Sequence, residues 1–148
     1  MDEEGIPELV DNLLAARTYV SSVFIRHAIR SNAEKVVNLL KDYKSVPDDG
    51  KSFANYDYQT THDLALLSGN PVFVLMMNGF KGLYSRIGTF YFSFDKSRDI
   101  CRDYYKALKE LAEKGDHEGV IQTVRQFGIN SGKVWSEIRS EMPKDLVD

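Results

Sequence analysis

Apolar side chains recur at steps of three and four residues along almost the whole of this 148-residue chain. The most regular stripe lies near the C-terminus and consists of Val120, Val124, Phe127, Gly128, Ser131, Trp135 and Ile138. This spacing places side chains on one face of an α-helix, because a helix has about 3.6 residues per turn. The pattern therefore predicts a protein built from amphipathic helices.

Turn and capping signals divide the chain into six predicted helices. The first should run from about residue 7 to about residue 30, with Pro7 near its start and Asn32 as the N-cap of the second. Residues 45–50 form the clearest loop, and Ser52 is the predicted cap of the third helix. His27 falls on the apolar side of the first helix.

The fourth helix should begin at Asn70, its predicted N-cap, after a stop at Gly69 and with Pro71 in its first turn. Residues 72–92 are apolar on nearly every side, which predicts a central buried helix. The tail of this segment, residues 89–94, partly alternates and also permits a strand. A fifth helix from about residue 95 to Gly115 and a last one capped by Asp116 complete the set.

Six helices joined by short turns predict one all-α domain, an antiparallel bundle covering residues 1–148. The net charge of −3 excludes the broad positive field of a stand-alone nucleic-acid binder, so local Arg and Lys residues must hold any anionic ligand. Cys101 has no partner for an internal disulfide, no apolar run is long enough to cross a membrane, and the acidic N-terminus does not resemble a signal peptide. We expect a cytoplasmic protein without a membrane partner.

Catalytic and metal-binding patterns are weak in this sequence. Asp57 and His62 are the one close acid–histidine pair on a predicted helix, but five residues place them roughly 140° apart. No nucleophile elbow, phosphate-binding loop or dinucleotide-binding turn is present. We therefore expect neither an enzyme nor a metal site.

The last predicted helix combines small and large residues on one face. Gly128 and Ser131 lie beside Phe127 and Trp135, and a glycine inside a helix costs about 1 kcal/mol relative to alanine. Two interpretations stay open. Another helix packs against Gly128, or a ligand fills the gap, with a hydrogen bond from Ser131 and charge from Arg125.

The fourth helix contains polar or small residues within its apolar sequence, namely Asn78, Gly79, Lys81, Gly82 and Arg86. Polar groups in a buried helix need partners. These residues should either pair with neighbouring helices or line a cavity, and an apolar pocket with a few polar groups suits a lipid-like ligand with a polar head.

Four stretches of the chain point to a family. They are residues 11–18 (DNLLAART), 67–71 (LSGNP), 78–88 (NGFKGLYSRIG) and 124–128 (VRQFG), the last leading through Ser131 and Gly132 to Trp135. Together they resemble the effector domain of the FadR family, the fatty-acid-responsive regulators within the GntR superfamily. The resemblance extends from about Ile6 to Leu146, practically without gaps.

The resemblance implies a bundle of six to seven helices with an interior cavity for an acyl chain and with CoA near the last helix. The effector would be a long-chain acyl-CoA, with no cofactor. In this family the Gly-x-x-Ser-x-x-x-Trp element is tied to the acyl-CoA response, and it stands here as Gly128, Ser131 and Trp135. The other expected ligand-binding residues are Phe127, Arg125, Arg17, Tyr84, Tyr91, Phe80, Thr61 and Leu13.

Related effector domains of the superfamily bind a divalent ion through one aspartate and three histidines. The aspartate corresponds to Asp57, but Thr61, Tyr105 and Phe127 occupy the three histidine positions. These side chains cannot replace imidazole donors. The resemblance thus implies a site for an apolar chain and no metal.

Members of the family also carry an N-terminal winged helix-turn-helix domain that binds DNA, which this chain lacks. DNA binding, repression or activation, and homodimer formation are therefore expected of a longer parent protein. Three hypotheses follow for the chain itself: an acyl-CoA sensor, a metal-dependent carboxylate sensor, or a dimerisation module that binds no ligand.

Overall fold

The computed structural model describes residues 5–143, with the backbone alone at positions 6 and 7, so the predicted role of the Pro7 side chain lies outside it. The helices are α1 (Gly5–Leu40), α2 (Gly50–Leu67), α3 (Pro71–Tyr91), α4 (Asp95–Lys114) and α5 (Val120–Ile138). Short 3₁₀ turns follow α1 and α5, at Tyr43–Ser45 and Arg139–Glu141. Because residues 5–143 contain no β-strand, the prediction of an all-α fold is confirmed.

The predicted boundary between the first two helices is a break inside α1. Asn32 has φ −144° and ψ 44°, outside the helical range, so α1 consists of two helical segments and residues 5–143 contain six. The side chain of Asn32 donates to the carbonyl oxygen of Leu67, the last residue of α2, at 2.9 Å. The chain therefore changes direction at Asn32. The residues that follow run back towards the start of α2.

The start of α2 differs from the prediction. Asp49, not Ser52, is the N-cap, and its carboxylate accepts hydrogen bonds from the backbone nitrogen of Ser52 at 2.8 Å and from the Ser52 hydroxyl at 2.9 Å. An aspartate in this position satisfies a backbone N–H group that the first turn of a helix leaves free.

The turn between α2 and α3 agrees with the prediction. Gly69 has φ +81°, a left-handed conformation that glycine adopts without steric strain. The side chain of Asn70 accepts from the backbone nitrogen of Val72 at 3.0 Å, and α3 begins at Pro71.

Helix α3 is an outer wall of the bundle and not its centre. Its inner face includes Met77, Tyr84 and Ile87, whereas Val72 and Leu75 on the opposite face are 56% and 68% exposed. The polar and small residues of the sequence analysis, Asn78, Gly79, Lys81, Gly82 and Arg86, all lie on the exposed surface of α3. The prediction of a central buried helix is therefore wrong, and these polar residues do not line a cavity.

The end of α3 is helical, and no strand forms there. Backbone hydrogen bonding continues to Phe92, whose nitrogen donates to the carbonyl oxygen of Gly88 at 2.8 Å. Helix α4 ends at Gly115, with φ +65°, and Asp116 then accepts from the nitrogen of Gly119 at 3.1 Å, one residue before α5. Asp116 caps the turn that leads into α5, whereas the N-cap of α5 itself is Gly119, three residues after the predicted cap.

Contacts at both ends of the helices establish how they run. Trp135 of α5 reaches Asp11 near one end of α1, and Arg26 of α1 reaches Glu118 just before α5, so these two helices are antiparallel. Helices α2 and α3 are also antiparallel, since Ala54 lies against Gly88 and Tyr58 against Met77.

The core between the helices is rich in aromatic residues. Its largest fully buried side chains are Trp135, Tyr105, Phe24, Phe53 and Phe92. His27, predicted on the apolar side of the first helix, is exposed instead. No helix within residues 5–143 combines the length and the apolar character needed to cross a lipid bilayer.

Candidate ligand-binding site

Helices α1, α3 and α5 enclose an apolar pocket. It is lined by Val10, Leu13, Leu14, Val20 and Phe24 of α1, by Met76, Met77, Phe80 and Ile87 of α3, and by Trp135 of α5. Its few polar lining groups come from Arg17, Tyr84, Tyr91 and Ser131. Seven expected ligand-binding residues meet here, namely Leu13, Arg17, Phe80, Tyr84, Tyr91, Ser131 and Trp135.

The apolar pocket is narrow. Its free volume is about 60 Å³, which is room for only a few water molecules. The side chains of α1, α3 and α5 occupy most of the space between these helices, so the structure shows a lined pocket and not an interior cavity of the size of an acyl chain.

Two further spaces adjoin the apolar pocket between α1 and α5. The first is a small pocket beside Phe127, whose ring centroid lies 3.9 Å from that of Tyr104. The second is a groove on the surface, lined among others by Asp11, Ile129 and Lys133. Leu14 borders all three spaces, a position that the sequence analysis did not single out although it lies within the 11–18 stretch.

The groove ends at a polar contact between α1 and the C-terminal end of α5. The carboxylate of Asp11 accepts from the Trp135 indole nitrogen at 2.7 Å and from Arg139 at 2.6 Å. The indole is thereby held in one orientation between the apolar pocket and the groove. Asp11 was not among the predicted site residues, because its partners are far away in sequence.

Close helix packing accounts for the glycine at position 128. A Cβ atom there would lie 2.7 Å from Oγ1 and 2.9 Å from Cγ2 of Thr18 on α1. Of the two interpretations left open by the sequence, the structure has a neighbouring helix against Gly128. Gly128 also borders the small pocket and the groove, so it lies next to both.

A second group of polar side chains, which we call the carboxylate site, surrounds Asp57 of α2. Asp57 is fully buried, and Arg17 of α1 donates to its Oδ2 at 2.8 Å. The hydroxyls of Tyr84 on α3 and Tyr105 on α4 donate to the same carboxylate. Four helices thus meet at one buried charge.

The electrostatics of the carboxylate site agree with this geometry. Burial acts most strongly and would lower the pKa of Arg17, but Asp57, together with Tyr104, Tyr105 and Cys101, outweighs it and raises that pKa above its usual value. Burial, followed by the charge of Asp57, raises the pKa of the Tyr105 hydroxyl well above its ordinary value. The Tyr105 hydroxyl therefore acts as a neutral donor to the Asp57 carboxylate.

Asp57, which the resemblance aligns with a metal ligand of related domains, is paired with protein groups. Arg17 and the two tyrosine hydroxyls supply Asp57 with the positive charge and the hydrogen bonds that a bound cation would otherwise provide. Thr61 is buried one helical turn after Asp57 on α2, and Phe127 packs on Tyr104. Between residues 5 and 143, no group of three or more His, Cys, Asp or Glu side chains is arranged to hold a metal ion.

Two predicted site residues stand apart from these spaces. Arg125 is exposed on α5 and lines none of the three, and Thr61 is buried on α2 away from them. The structure brings Arg17, Tyr84 and Tyr91 together at the apolar pocket, whereas Arg125 and Thr61 do not line it.

Comparison with known proteins identifies the family. The chain matches the family described as the FadR C-terminal domain over residues 1–147. This chain therefore belongs to the FadR C-terminal domain family.

Curated relatives agree with this assignment. A fatty acid metabolism regulator protein of Shewanella pealeana is 45% identical over 146 residues, and one of Shewanella oneidensis is 44% identical over 146 residues. Each alignment covers 99% of this chain and 61% of the relative, so the chain spans about three fifths of the relatives that it matches. The relatives are named as regulators, in agreement with the expectation of a domain that is not an enzyme.

Proposed function

We propose that this chain is the effector-binding domain of a fatty-acid-responsive transcription regulator and that its effector is a long-chain acyl-CoA. The observation that carries the proposal is the apolar pocket, which adjoins a polar surface groove at Leu14 and Trp135. An acyl chain joined to a large polar head needs this combination of spaces. The names of the relatives support the same class of ligand.

The apolar pocket suits an acyl chain in length and in chemistry. Its lining on α1 extends from Val10 to Phe24, which is about 21 Å along a helix that rises about 1.5 Å per residue. Burial of about fourteen to eighteen carbons contributes roughly 0.8 kcal/mol per methylene before ordering costs are subtracted. This contribution is large enough to offset a rearrangement of the bundle.

The bundle must open for the chain to enter. Helix α3 packs chiefly on α2 and touches α1 and α5 at few points. It can therefore move away from α1 and α5 with the smallest loss of core contacts. We infer that Met76 and Phe80 of α3 give way while α1 stays in place. The entering chain passes Arg17, whose guanidinium lies 5.0 Å from the centre of the Tyr84 ring.

The groove provides a place for the CoA head. Lys133 lines it, and Arg125 is exposed two helical turns earlier on α5. A further cation beside the groove, Arg139, is paired with Asp11. Because the chain as a whole has a net charge of −3, these local cations must provide the attraction for phosphate groups.

The regulatory output belongs to a longer protein, since the chain spans about three fifths of its relatives. We propose that the parent is a cytoplasmic homodimer that binds DNA through an N-terminal winged helix-turn-helix domain and acts as repressor and activator. Acyl-CoA would release it from DNA by binding more tightly to the conformation with separated DNA-binding domains. The extent of release is limited by that difference in affinity.

Isothermal titration of this chain with oleoyl-CoA, and with free CoA for comparison, tests the proposal. We expect tight binding of oleoyl-CoA and little or none of CoA, because the acyl chain provides most of the binding free energy. Absence of heat in both titrations, with a helical circular dichroism spectrum, would overturn the proposal in favour of a dimerisation module.

A matched pair of variants assigns the site. Val20→Phe places a larger side chain in the apolar pocket, whereas Val23→Phe makes the same change three residues later at an exposed position of α1. We expect Val20→Phe to weaken oleoyl-CoA binding by about tenfold or more, and Val23→Phe to change it little. Equal affinities for the two variants would place the acyl chain elsewhere.

A further inference from the structure

The outer surface of the bundle is apolar at the corner where α2 ends and α3 begins. The exposed side chains there are Leu66 in the last turn of α2 and Val72, Leu75 and Met76 in the first two turns of α3, which are 59%, 56%, 68% and 36% exposed. We call these four residues the corner patch. Single apolar side chains are common on protein surfaces, whereas a group of them at one place marks an interaction surface.

The same face of α3 continues beyond the corner patch with glycine. Gly79 and Gly82 follow Leu75 at steps of four and three residues, so they lie in line with it on the exposed side of the helix. Apart from the helix backbone itself, a Cβ atom at either position would have no atom within 4 Å. A glycine inside a helix is less stable than an alanine, and the packing of residues 5–143 requires neither of these two. They form a shallow depression beside an exposed leucine.

The large and the small residues of this face are complementary to each other. In an antiparallel pair of α3 helices, with a two-fold axis between residues 78 and 79, Leu75 of each copy lies against Gly82 of the other. Such a contact is symmetric and closed, as in most homodimers. Because the distance between two packed helices depends on the side chains at the contact, the glycines allow the two backbones to approach closely.

The charges of α3 favour the antiparallel arrangement. Lys81 and Arg86 are the charged residues of this helix, and both are positive although the whole chain has a net charge of −3. A parallel pair would place the like charges of two copies side by side, which is unfavourable. An antiparallel pair moves them towards opposite ends of the contact, and the macrodipoles of the two helices then point in opposite directions.

The apolar area of the corner patch is sufficient for a dimer of modest affinity. An aliphatic side chain that is about half exposed leaves roughly 100 Å² of apolar surface in water, so the corner patch provides roughly 400 Å² on each copy. Because about 60% of an interface is apolar, the pair would bury about 1,300 Å² in total. Specific complexes bury about 1,200–2,000 Å², so this contact lies at the lower end of their range.

We propose that the outer face of α3 is an interface with a second copy of this chain, in which the corner patch of each copy packs on Gly79 and Gly82 of the other. The interface belongs to this domain and requires neither DNA nor an acyl-CoA. It is therefore independent of the proposed function, and a test of one does not decide the other.

Sedimentation velocity of this chain between about 5 and 500 μM tests the interface. We expect a reversible change from monomer to dimer with a Kd of about 10–100 μM, as suits a contact of this size. Leu75→Glu places a charge in the contact and should raise the Kd by about tenfold or more. Ile121→Glu is the matched control, because Ile121 is 50% exposed on α5, and it should leave the Kd unchanged.

Three results would overturn the interface. The first is a monomer at every concentration. The second is a Kd that Leu75→Glu leaves unchanged, and the third is an equal rise of the Kd in Leu75→Glu and Ile121→Glu. Both positions are exposed, so the two variants should keep the helical circular dichroism spectrum of the unchanged protein.

An exchange of the large and the small residue tests the antiparallel contact directly. Gly82→Leu fills the depression and should raise the Kd by about tenfold, although the thermal unfolding temperature should not fall, because leucine is a better helix former than glycine. Leu75→Gly combined with Gly82→Leu restores a large residue opposite a small one. We expect its Kd to return to within about threefold of the unchanged protein. A double variant that dimerises no better than Gly82→Leu would contradict the antiparallel contact.

Discussion

The carboxylate site and a second group of buried polar side chains, the hydroxyls of Tyr91, Ser97 and Ser131, differ in how far their polar groups are paired. The carboxylate of Asp57 accepts hydrogen bonds from Arg17, two tyrosine hydroxyls and the Cys101 thiol, which come from three other helices. The hydroxyls of Tyr91, Ser97 and Ser131 have no partner within the described protein. A fully paired buried site stabilises the fold, whereas buried hydroxyls without partners cost free energy.

The strongest test of this comparison removes the central charge. Asp57→Ala leaves Arg17 without its carboxylate and two tyrosine hydroxyls without an acceptor. Breaking a buried ion pair in this way typically destabilises a protein by about 3–5 kcal/mol. We expect a loss of this size in the free energy of unfolding, measured by urea titration and circular dichroism.

The control for this variant is Asp99→Ala. Asp99 also pairs with an arginine, Arg102, at 3.0 Å, but its side chain is 72% exposed. An exposed pair contributes about 0.2–1 kcal/mol. A similar loss for both variants would mean that the carboxylate site is not a major source of stability.

A second test makes the same chemical change at both sites. Tyr105→Phe removes a donor to a buried charge and should cost about 1.5–3 kcal/mol, whereas Tyr91→Phe removes a hydroxyl without a partner and should be nearly neutral or stabilising. Urea titration of the two variants side by side measures the difference. If Tyr91→Phe costs as much as Tyr105→Phe, the Tyr91 hydroxyl has a partner in the ligand-free protein and the contrast between the sites disappears.

The smallest expected effect concerns the packing of α1 on α5 beside Ser131. Gly128→Ala should destabilise the protein by up to about 2 kcal/mol, because overpacking against Thr18 costs about 1–3 kcal/mol while alanine recovers about 1 kcal/mol of helix propensity. Gly132→Ala, with no atom near the new methyl group, should instead stabilise by up to about 1 kcal/mol.

A compensating change checks the physical cause of the Gly128→Ala effect in thermal unfolding. Thr18→Ala combined with Gly128→Ala removes the methyl and hydroxyl groups that the new side chain would meet. We expect the double variant to lose less stability than the sum of the two single variants. Additive losses would show that Thr18 is not what requires a glycine at position 128.

Local signals in the sequence were sufficient for the helices and for several of their ends. Gly69 and Asn70 were recognisable as a helix stop and a helix cap because both act on backbone groups within a few residues. The buried stripe of α5 was likewise clear from its spacing. The exposure of Leu75 on α3 could not be predicted in this way, because hydropathy shows that a helix is apolar but not which of its faces another helix covers.

The candidate site was harder to predict than the helices, because it depends more on contacts between residues that are far apart in sequence. The resemblance to the family supplied Arg17, Tyr84 and Tyr91, but nothing local indicated that Asp57 accepts from residues 40, 27 and 48 positions away in the chain. The choice between a helix and a ligand beside Gly128 required the position of Thr18.

The small free volume of the apolar pocket has a consequence for the sensitivity of the proposed sensor. In the ligand-free protein the side chains of α1, α3 and α5 already fill the space that an acyl chain would enter, so they compete with the effector for the same apolar contacts. Better internal packing would raise the effector concentration needed for a response, and looser packing would lower it. The threshold of such a sensor is then set by its own hydrophobic core as much as by the residues that contact the ligand.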